Sequence, residues 1–385
     1  MKVRLATLGD YVEPIATWNP ASKPDETFIY VDLSSISQLE KRIVAGTPLQ
    51  GSEAPSRARQ LIKKGDILVS TVRPNLNGVA RVSDEFDGAT ASTGLCVLRP
   101  RPTRLLSSYL MHWVRTPQFV DLMVRQATGA SYPAVTDRIV KNSIVPLPPL
   151  DEQRRIAAIL DKADALRRKR KRALELLSTL TQAMFIDMFG DGEMVPLAKL
   201  IDCDDRINYG VVQPGDEVDD GIYLVRVSDI RNGRVSHAKL RKVAVDISRQ
   251  HKRSILKGNE ILISCVGSVG DVALATHKER GFNIARAVAR VPISDGLVRA
   301  YVAEYLRLPV VQQYFDKELR TVSQPTLNIK QISETLVPIP DRKRMLEFSR
   351  RTQNVERRAD AMRTSMRNSD ALFASLQHRA FSGQL

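Results

Sequence analysis

Residues 151–187 read DEQRRIAAILDKADALRRKRKRALELLSTLTQAMFID, a charged stretch almost at the midpoint of the chain. Apolar side chains recur in it at alternating steps of four and three: Ile159, Ala163, Leu166, Ala173, Leu177, Leu180 and Met184, with only Arg170 interrupting. A period of 3.5 residues keeps one stripe against a partner helix along its whole length. At about 1.5 Å per residue the helix reaches roughly 55 Å, longer than most globular helices. The same rhythm returns in Phe348, Thr352, Val355, Ala359, Met362, Met366, Ser369, Phe373, Leu376 and Ala380. Two seams of matching length predict an antiparallel intramolecular coiled coil, each helix following a globular segment of about 150 residues. Seam residues such as Met184 and Phe373 are expected to stay exposed and to need a partner's cover.

The two globular segments repeat one another. Leu5 and Leu8 answer to Leu197 and Leu200, and GDILVS from Gly65 matches GNEILIS from Gly258 with one residue inserted. SYL at Ser108 stands against AYV at Ala300, Ser131 and Pro133 against Ser323 and Pro325, and IVPLP at Ile144 against LVPIP at Leu336. An offset of 192, half the chain, at both ends of the unit predicts a tandem duplication and a two-fold pseudo-symmetric molecule. Within each half, residues 28–33 and 223–227 read as strands, as do the short apolar runs 67–72 and 261–266. Residues 105–115 and 298–307 carry helical spacing, each stopped by a proline, Pro117 or Pro309, with a further helical turn after it. Pro146, Pro148 and Pro149, then Pro338 and Pro340, make extended hinges before the long helices. The class is α+β: globular α/β modules at 1–150 and 191–340, long helices at 151–190 and 341–385.

The chain carries 58 Lys and Arg against 43 Asp and Glu, a formal net charge of +15, with 43% hydrophobic residues. Such a charge favours a polyanionic partner, nucleic acid before anionic membrane. No apolar run approaches the length of a membrane span and no hydrophobic signal core opens the chain, so a soluble, cytoplasmic protein is expected. Cys96, Cys203 and Cys265 are too scattered for a local zinc motif, and their odd number argues against a disulfide framework.

No catalytic pattern emerges. Phe189-Gly190-Asp191-Gly192 follows a helix rather than a strand, which suits a helix end better than a methyl-donor loop. No NPPY-like tetrapeptide is present, GSVG at Gly267–Gly270 lacks the Lys-Ser/Thr ending of a phosphate loop, and the five histidines show no metal-ligand spacing. The informative loops keep a frame and change its tips. After the GDILVS strand comes TVRPNLNG, with Arg73, Asn75 and Asn77; the second half has CVGSVG, with Ser268. Later, SYPAVTDR, with Ser131 and Tyr132, faces SQPTLNIK, with Gln324, Thr326 and Asn328. Arg pairs bidentately with guanine, and Asn or Gln with adenine, so these are the candidate base readers. Neutral loop drift would look the same. Basic pairs Lys63 and Lys64, and Lys252 and Arg253, with Arg57, Arg59, Arg241 and Lys242, suit phosphate contacts or a solvated face. The run RRKRKR at Arg167–Arg172 admits phosphates, an acidic partner or plain solvation.

PLPPLDEQRRIAAIL from Pro146 resembles the hinge and helix start of the specificity subunits of Type I restriction–modification systems, and RAFSGQL from Arg379 resembles their closing FxGxL. The duplicated module–helix plan and the missing catalytic motif are similar too. One departure is the second hinge, Pro340-Asp341-Arg342-Lys343-Arg344, which lacks the Glu-Gln pair and puts docking at that end in doubt. The resemblance implies that each module is a target-recognition domain reading one half of a split, asymmetric site in double-stranded DNA. It implies helices that act as a spacer and as the platform for two adenine methyltransferase subunits, joined by restriction–translocase subunits. S-adenosylmethionine, ATP and Mg would then belong to those partners, with no cofactor and no metal on this chain. The implied docking residues are Asp151, Glu152, Gln153, Arg154, Ile159, Leu166, Leu177, Met184, Met362 and Phe373. Two other readings stay open: a self-contained DNA methyltransferase or nuclease, and a non-catalytic coiled-coil adaptor.

Overall fold

The computed structural model describes residues 4–129, 131–189, 193–319 and 326–385. It divides into two compact units, residues 1–171 with 364–385, and residues 172–363. The division falls inside two 40-residue helices, Leu150–Phe189 and Arg342–Phe381. Residues 151–190 and 341–385 therefore do not stand apart from the globular modules; each unit takes one half of each helix into its own core.

In the first unit one four-stranded sheet orders Val12–Glu13, Leu95–Pro100, Ile67–Ser70 and Val79–Arg81. Its centre is the antiparallel pair Ile67–Ser70 with Leu95–Pro100, in register from Leu95↔Ser70 to Leu98↔Ile67. A second four-stranded sheet orders Thr47–Gln50, Thr27–Val31, Thr90–Ser92 and Ala58–Leu61. Helices Ser107–Trp113 and Pro117–Gln126 cover the first sheet, and the proline of the second sits in its opening turn, where its missing N–H costs nothing. Into their core run Ile156 and Leu160 from the first long helix and Phe373, Ala380 and Phe381 from the second. The two helix segments meet in opposite senses: Arg155 reaches the Leu385 carbonyl, Arg167 donates to Asp370 at 2.7 Å and Arg170 to the Ser365 carbonyl at 3.4 Å.

The second unit resembles the first but divides its strands differently. Its six-stranded sheet centres on Glu260–Ser264 against Val288–Pro292, and a three-stranded sheet holds Ile222–Val225. Phe185 and Phe189 from the end of the first long helix stack with Tyr301 and with Phe348 near the start of the second. The repeat extends to single hydrogen bonds. Tyr109 Oη donates to the Pro146 carbonyl at 2.8 Å, and Tyr301, 192 residues on, to Pro338 at 2.7 Å. At the N-terminal edge the correspondence differs from the sequence expectation. Leu8 N–H donates to the Ser143 carbonyl and Leu197 N–H to Thr335, so Leu197 matches Leu8 rather than Leu5. Leu8 and Leu197 are both fully buried, whereas Leu5 is exposed.

The seam of the second long helix lies where the sequence puts it: Phe348, Thr352, Ala359, Ser369, Phe373 and Ala380 are buried. That of the first is displaced by one residue, about 100° around the helix. Leu166 and Leu180 are 46% and 43% exposed, while Leu160, Asp164 and Phe185 are buried. An apolar count missed the inward face because Asp164 belongs to it. Its carboxylate turns inward to a bidentate pair with Arg115 at 3.1 and 3.2 Å, backed by Arg167 and Arg168.

Candidate nucleic-acid interface

The two candidate loops of each module are joined by backbone. In the first, Val72 bridges Ala134, Arg73 N–H donates to the Pro133 carbonyl at 2.7 Å, and Val135 N–H donates to Thr71 at 2.8 Å. In the second, Val266 bridges Thr326 and Leu327 N–H donates to the Cys265 carbonyl at 2.9 Å. Loops some 60 residues apart in sequence thus form one tip in each module.

At the first tip Arg73 adopts left-handed backbone, φ 49° and ψ 61°, a conformation that costs a non-glycine residue about 1–2 kcal/mol. Its guanidinium lies over the Tyr132 ring, 4.8 Å from the centroid, and Tyr132 is 68% exposed. Asn75 and Ser131 are exposed beside them. Asn77 is not available as a base reader. It is also left-handed; its Nδ2 donates to the Val114 carbonyl at 2.9 Å and its Oδ1 accepts from Lys41 Nζ at 2.9 Å. Both ends of the carboxamide hold the turn. Lys41, which the sequence reading missed, arrives from a hairpin far away in sequence and also donates to the Asn77 carbonyl at 2.5 Å. Burial, helped by the nearby Arg115 charge, lowers the Lys41 pKa to about 8.

At the second tip Ser268 is exposed between Gly267 and Gly270, both with positive φ. Thr326 is half-buried. Asn328 is the N-cap of the helix Ile329–Glu334, its backbone N–H bound to Gln331 Oε1 at 2.7 Å, so its position is set by the helix start. Gln324, with Ser323 and Pro325, lies outside the described residues, as does Gly190–Gly192.

The basic pairs are not brought to these tips. Lys63 and Lys64 are exposed but precede the strand whose far end carries Arg73, and Lys64 pairs with Asp84 at 2.6 Å. Lys252 and Arg253 likewise precede the strand that ends toward Ser268. Arg241 and Lys242 are spent on the Gly215 and Asp219 carbonyls. Within the basic run, Arg167 lies over the Phe373 ring at 4.6 Å, Arg168 pairs with Asp164 at 3.3 Å, Arg170 meets the neighbouring helix and Lys169 is exposed.

At the first hinge Asp151 and Arg154 are exposed and paired at 2.5 Å, and Glu152 is half-buried against Arg155. Gln153 does not face outward. It is fully buried; its Oε1 accepts from Leu106 N–H and its Nε2 donates to the Arg104 and Pro148 carbonyls, each at 2.9 Å. Its repeat counterpart is Met345, buried in the core of the second unit. There the amide matching Leu106 is that of Val298, satisfied instead by Asp295, the cap of the helix Gly296–Leu306. The missing Gln at the second hinge is therefore a different way of capping one helix, and says nothing about docking. Phe373 is buried rather than exposed for a partner: only 6% exposed, it packs on His112 and under the Arg115 and Arg167 guanidiniums. Ile159, Leu177, Met184 and Met362 are half-buried. Leu177 lines a cavity of about 610 Å³ within the second unit, beside Thr181, the repeat counterpart of Phe373. Among the described residues no cluster of three or more acidic, His or Cys residues is placed to hold a metal ion, and no helix is long and apolar enough to cross a membrane.

Residues 49–176 match the Type I restriction modification DNA specificity domain. The chain is 29% identical over 304 residues to the specificity subunit of the Type I restriction enzyme EcoBI from Escherichia coli, covering 70% of this chain and 64% of that subunit. It is 25% identical over 145 residues to the HindI specificity subunit from Haemophilus influenzae, spanning 32% of that relative. Among solved structures, one described as showing complex assembly and conformational transition of the type I R-M system superimposes with a TM-score of 0.63 at 25% identity, over the whole of both chains. The S subunit of a Type I system from M. genitalium shares the fold, with a TM-score of 0.57 at 12% identity over 99% of this chain and 96% of that one.

Proposed function

We infer that this chain is a specificity subunit of a Type I restriction–modification system and recognises a bipartite, asymmetric sequence in double-stranded DNA. The observation that carries this is the pair of tips. Each module joins the same two loops through the same β-bridge, then arms the frame differently, with Arg73, Asn75 and Tyr132 in one and Ser268 between glycines in the other. Two modules reading different half-sites need that pattern, because base edges are read by side chains while the frame sets the approach. The charge of +15 supplies the sequence-independent attraction to the duplex.

In this reading the chain is a non-catalytic subunit. Two adenine methyltransferase subunits and restriction–translocase subunits dock on it in the prokaryotic cytoplasm and bring S-adenosylmethionine, ATP and Mg. The long helices form an antiparallel coiled coil, relate the modules by a pseudo-two-fold axis and set the gap between half-sites. Their matched 40-residue lengths support a spacer role. Mapping N6-methyladenine across the genome of the source organism with and without this gene tests the proposal. Loss of one split motif on deletion is the expected result; an unchanged map, together with no methyltransferase recovered on this chain, would overturn it.

A further inference from the structure

The strained residue at the first tip has a counterpart that is not strained. Each bridge residue, Val72 or Val266, is followed by one left-handed position, and there the second module carries Gly267, φ 82°, while the first carries Arg73. Glycine is the residue such backbone favours, and a Cβ at Gly267 would meet nothing within 4 Å. The frame thus accepts a side chain at this position without requiring one. A long cation held there against its backbone preference points to use of that side chain.

Its surroundings say which use. The guanidinium carbon sits over the Tyr132 ring, 4.8 Å from its centroid, and among the described residues no carboxylate pairs with it. Cation–π attraction to the ring uses none of the acceptors that a guanidinium can bind, so its N–H donors remain to be offered to a ligand. Those donors form the fork that matches two acceptors side by side, as on the O6 and N7 edge of guanine. The ring also holds the side chain in place before DNA arrives. Behind it, Lys41 and Asn77 lock the turn that carries it.

We propose that Arg73, seated on Tyr132, is the specificity-determining residue of the first module and that it reads a guanine in that module's half-site. This rests on the DNA-reading role proposed for the chain. The test expresses the wild type, Arg73→Gly, Arg73→Lys and Tyr132→Ala variants with the methyltransferase subunits of the same system in a host lacking that methylation, and maps N6-methyladenine. Arg73→Gly places at the left-handed position the residue that the second module carries there, so the purified variant should unfold at or above the wild-type midpoint. The expected result is that one guanine of the wild-type motif becomes degenerate in Arg73→Gly and in Arg73→Lys, the preference there falling by about 10- to 100-fold. Tyr132→Ala should weaken preference at the same base pair and no other. An unchanged motif in Arg73→Gly, or methylation lowered at all sites with the motif intact, would make Arg73 dispensable or a phosphate contact and overturn the inference alone. A wild type that directs no motif would overturn the DNA-reading role itself.

Discussion

Replacing Gln153 by methionine exchanges the buried carboxamide for the residue the second repeat places at the same point, with little change of volume. Three backbone groups lose a partner. The Arg104 carbonyl belongs to an exposed residue and can recover water, but the Leu106 N–H and the Pro148 carbonyl lie against the buried hinge. Each buried group left unmade costs about 1–3 kcal/mol, so two give about 2–4 kcal/mol after partial rehydration. The reverse change, Met345→Gln, is expected to cost about 1–3 kcal/mol, because Asp295 already holds the amides of Leu297 and Val298 and the new carboxamide finds no donor. Urea unfolding of the purified chain followed by circular dichroism reads both, and hydrogen exchange at the Leu106 amide reads the first locally. A Gln153→Met protein within about 0.5 kcal/mol of wild type that no longer captures methyltransferase would refute the reasoning. It would return Gln153 to the docking surface.

Phe373→Ala should destabilise the chain by about 3–5 kcal/mol, whereas Thr181→Ala, at the repeat-related position beside a cavity, should cost under about 1 kcal/mol; equal urea midpoints would contradict this. Burial alone would raise the Asp205 carboxyl, yet hydrogen bonds from Arg290 and Lys257 hold it at about 2. The folded state therefore favours the carboxylate, and its contribution, complete above the ordinary value of about 3.9, is lost as pH falls toward about 2. Asp205→Asn should flatten the stability profile between these values, and an unaltered slope would show that the carboxylate contributes nothing there. Inserting one heptad in both long helices adds about 10 Å; if they space the half-sites, the gap in the methylated motif should grow by about three base pairs, and a gap of unchanged length would exclude the spacer role.

What was legible in the sequence follows from which forces leave a periodic trace. The second long helix buries apolar or small residues at every inward step, so its seam could be counted. The first buries Asp164, whose cost is met by arginines that include Arg115 from the turn between two globular helices, and no count along one helix anticipates that. The likeness of the two halves was legible because it lies in the backbone frame: the central strands, the hinge prolines and the tyrosines that bind them. The side chains that fasten the frame are not repeated. Gln153 and Asp295 satisfy the same amide from different elements, and Phe373 fills in one unit the position Thr181 holds beside a cavity in the other. Substitution at the tips carries the same ambiguity. Asn75 and Asn77 look equivalent in TVRPNLNG, and only the fold brings Lys41 and the Val114 carbonyl to Asn77 and leaves Asn75 free. Arg73 looks like any loop arginine until the bridge aligns it with Gly267. A residue that serves the frame is recognised by what it is bonded to, and one that serves a ligand by strain or exposure the frame does not need; both are properties of three-dimensional neighbours that spacing along the chain does not carry.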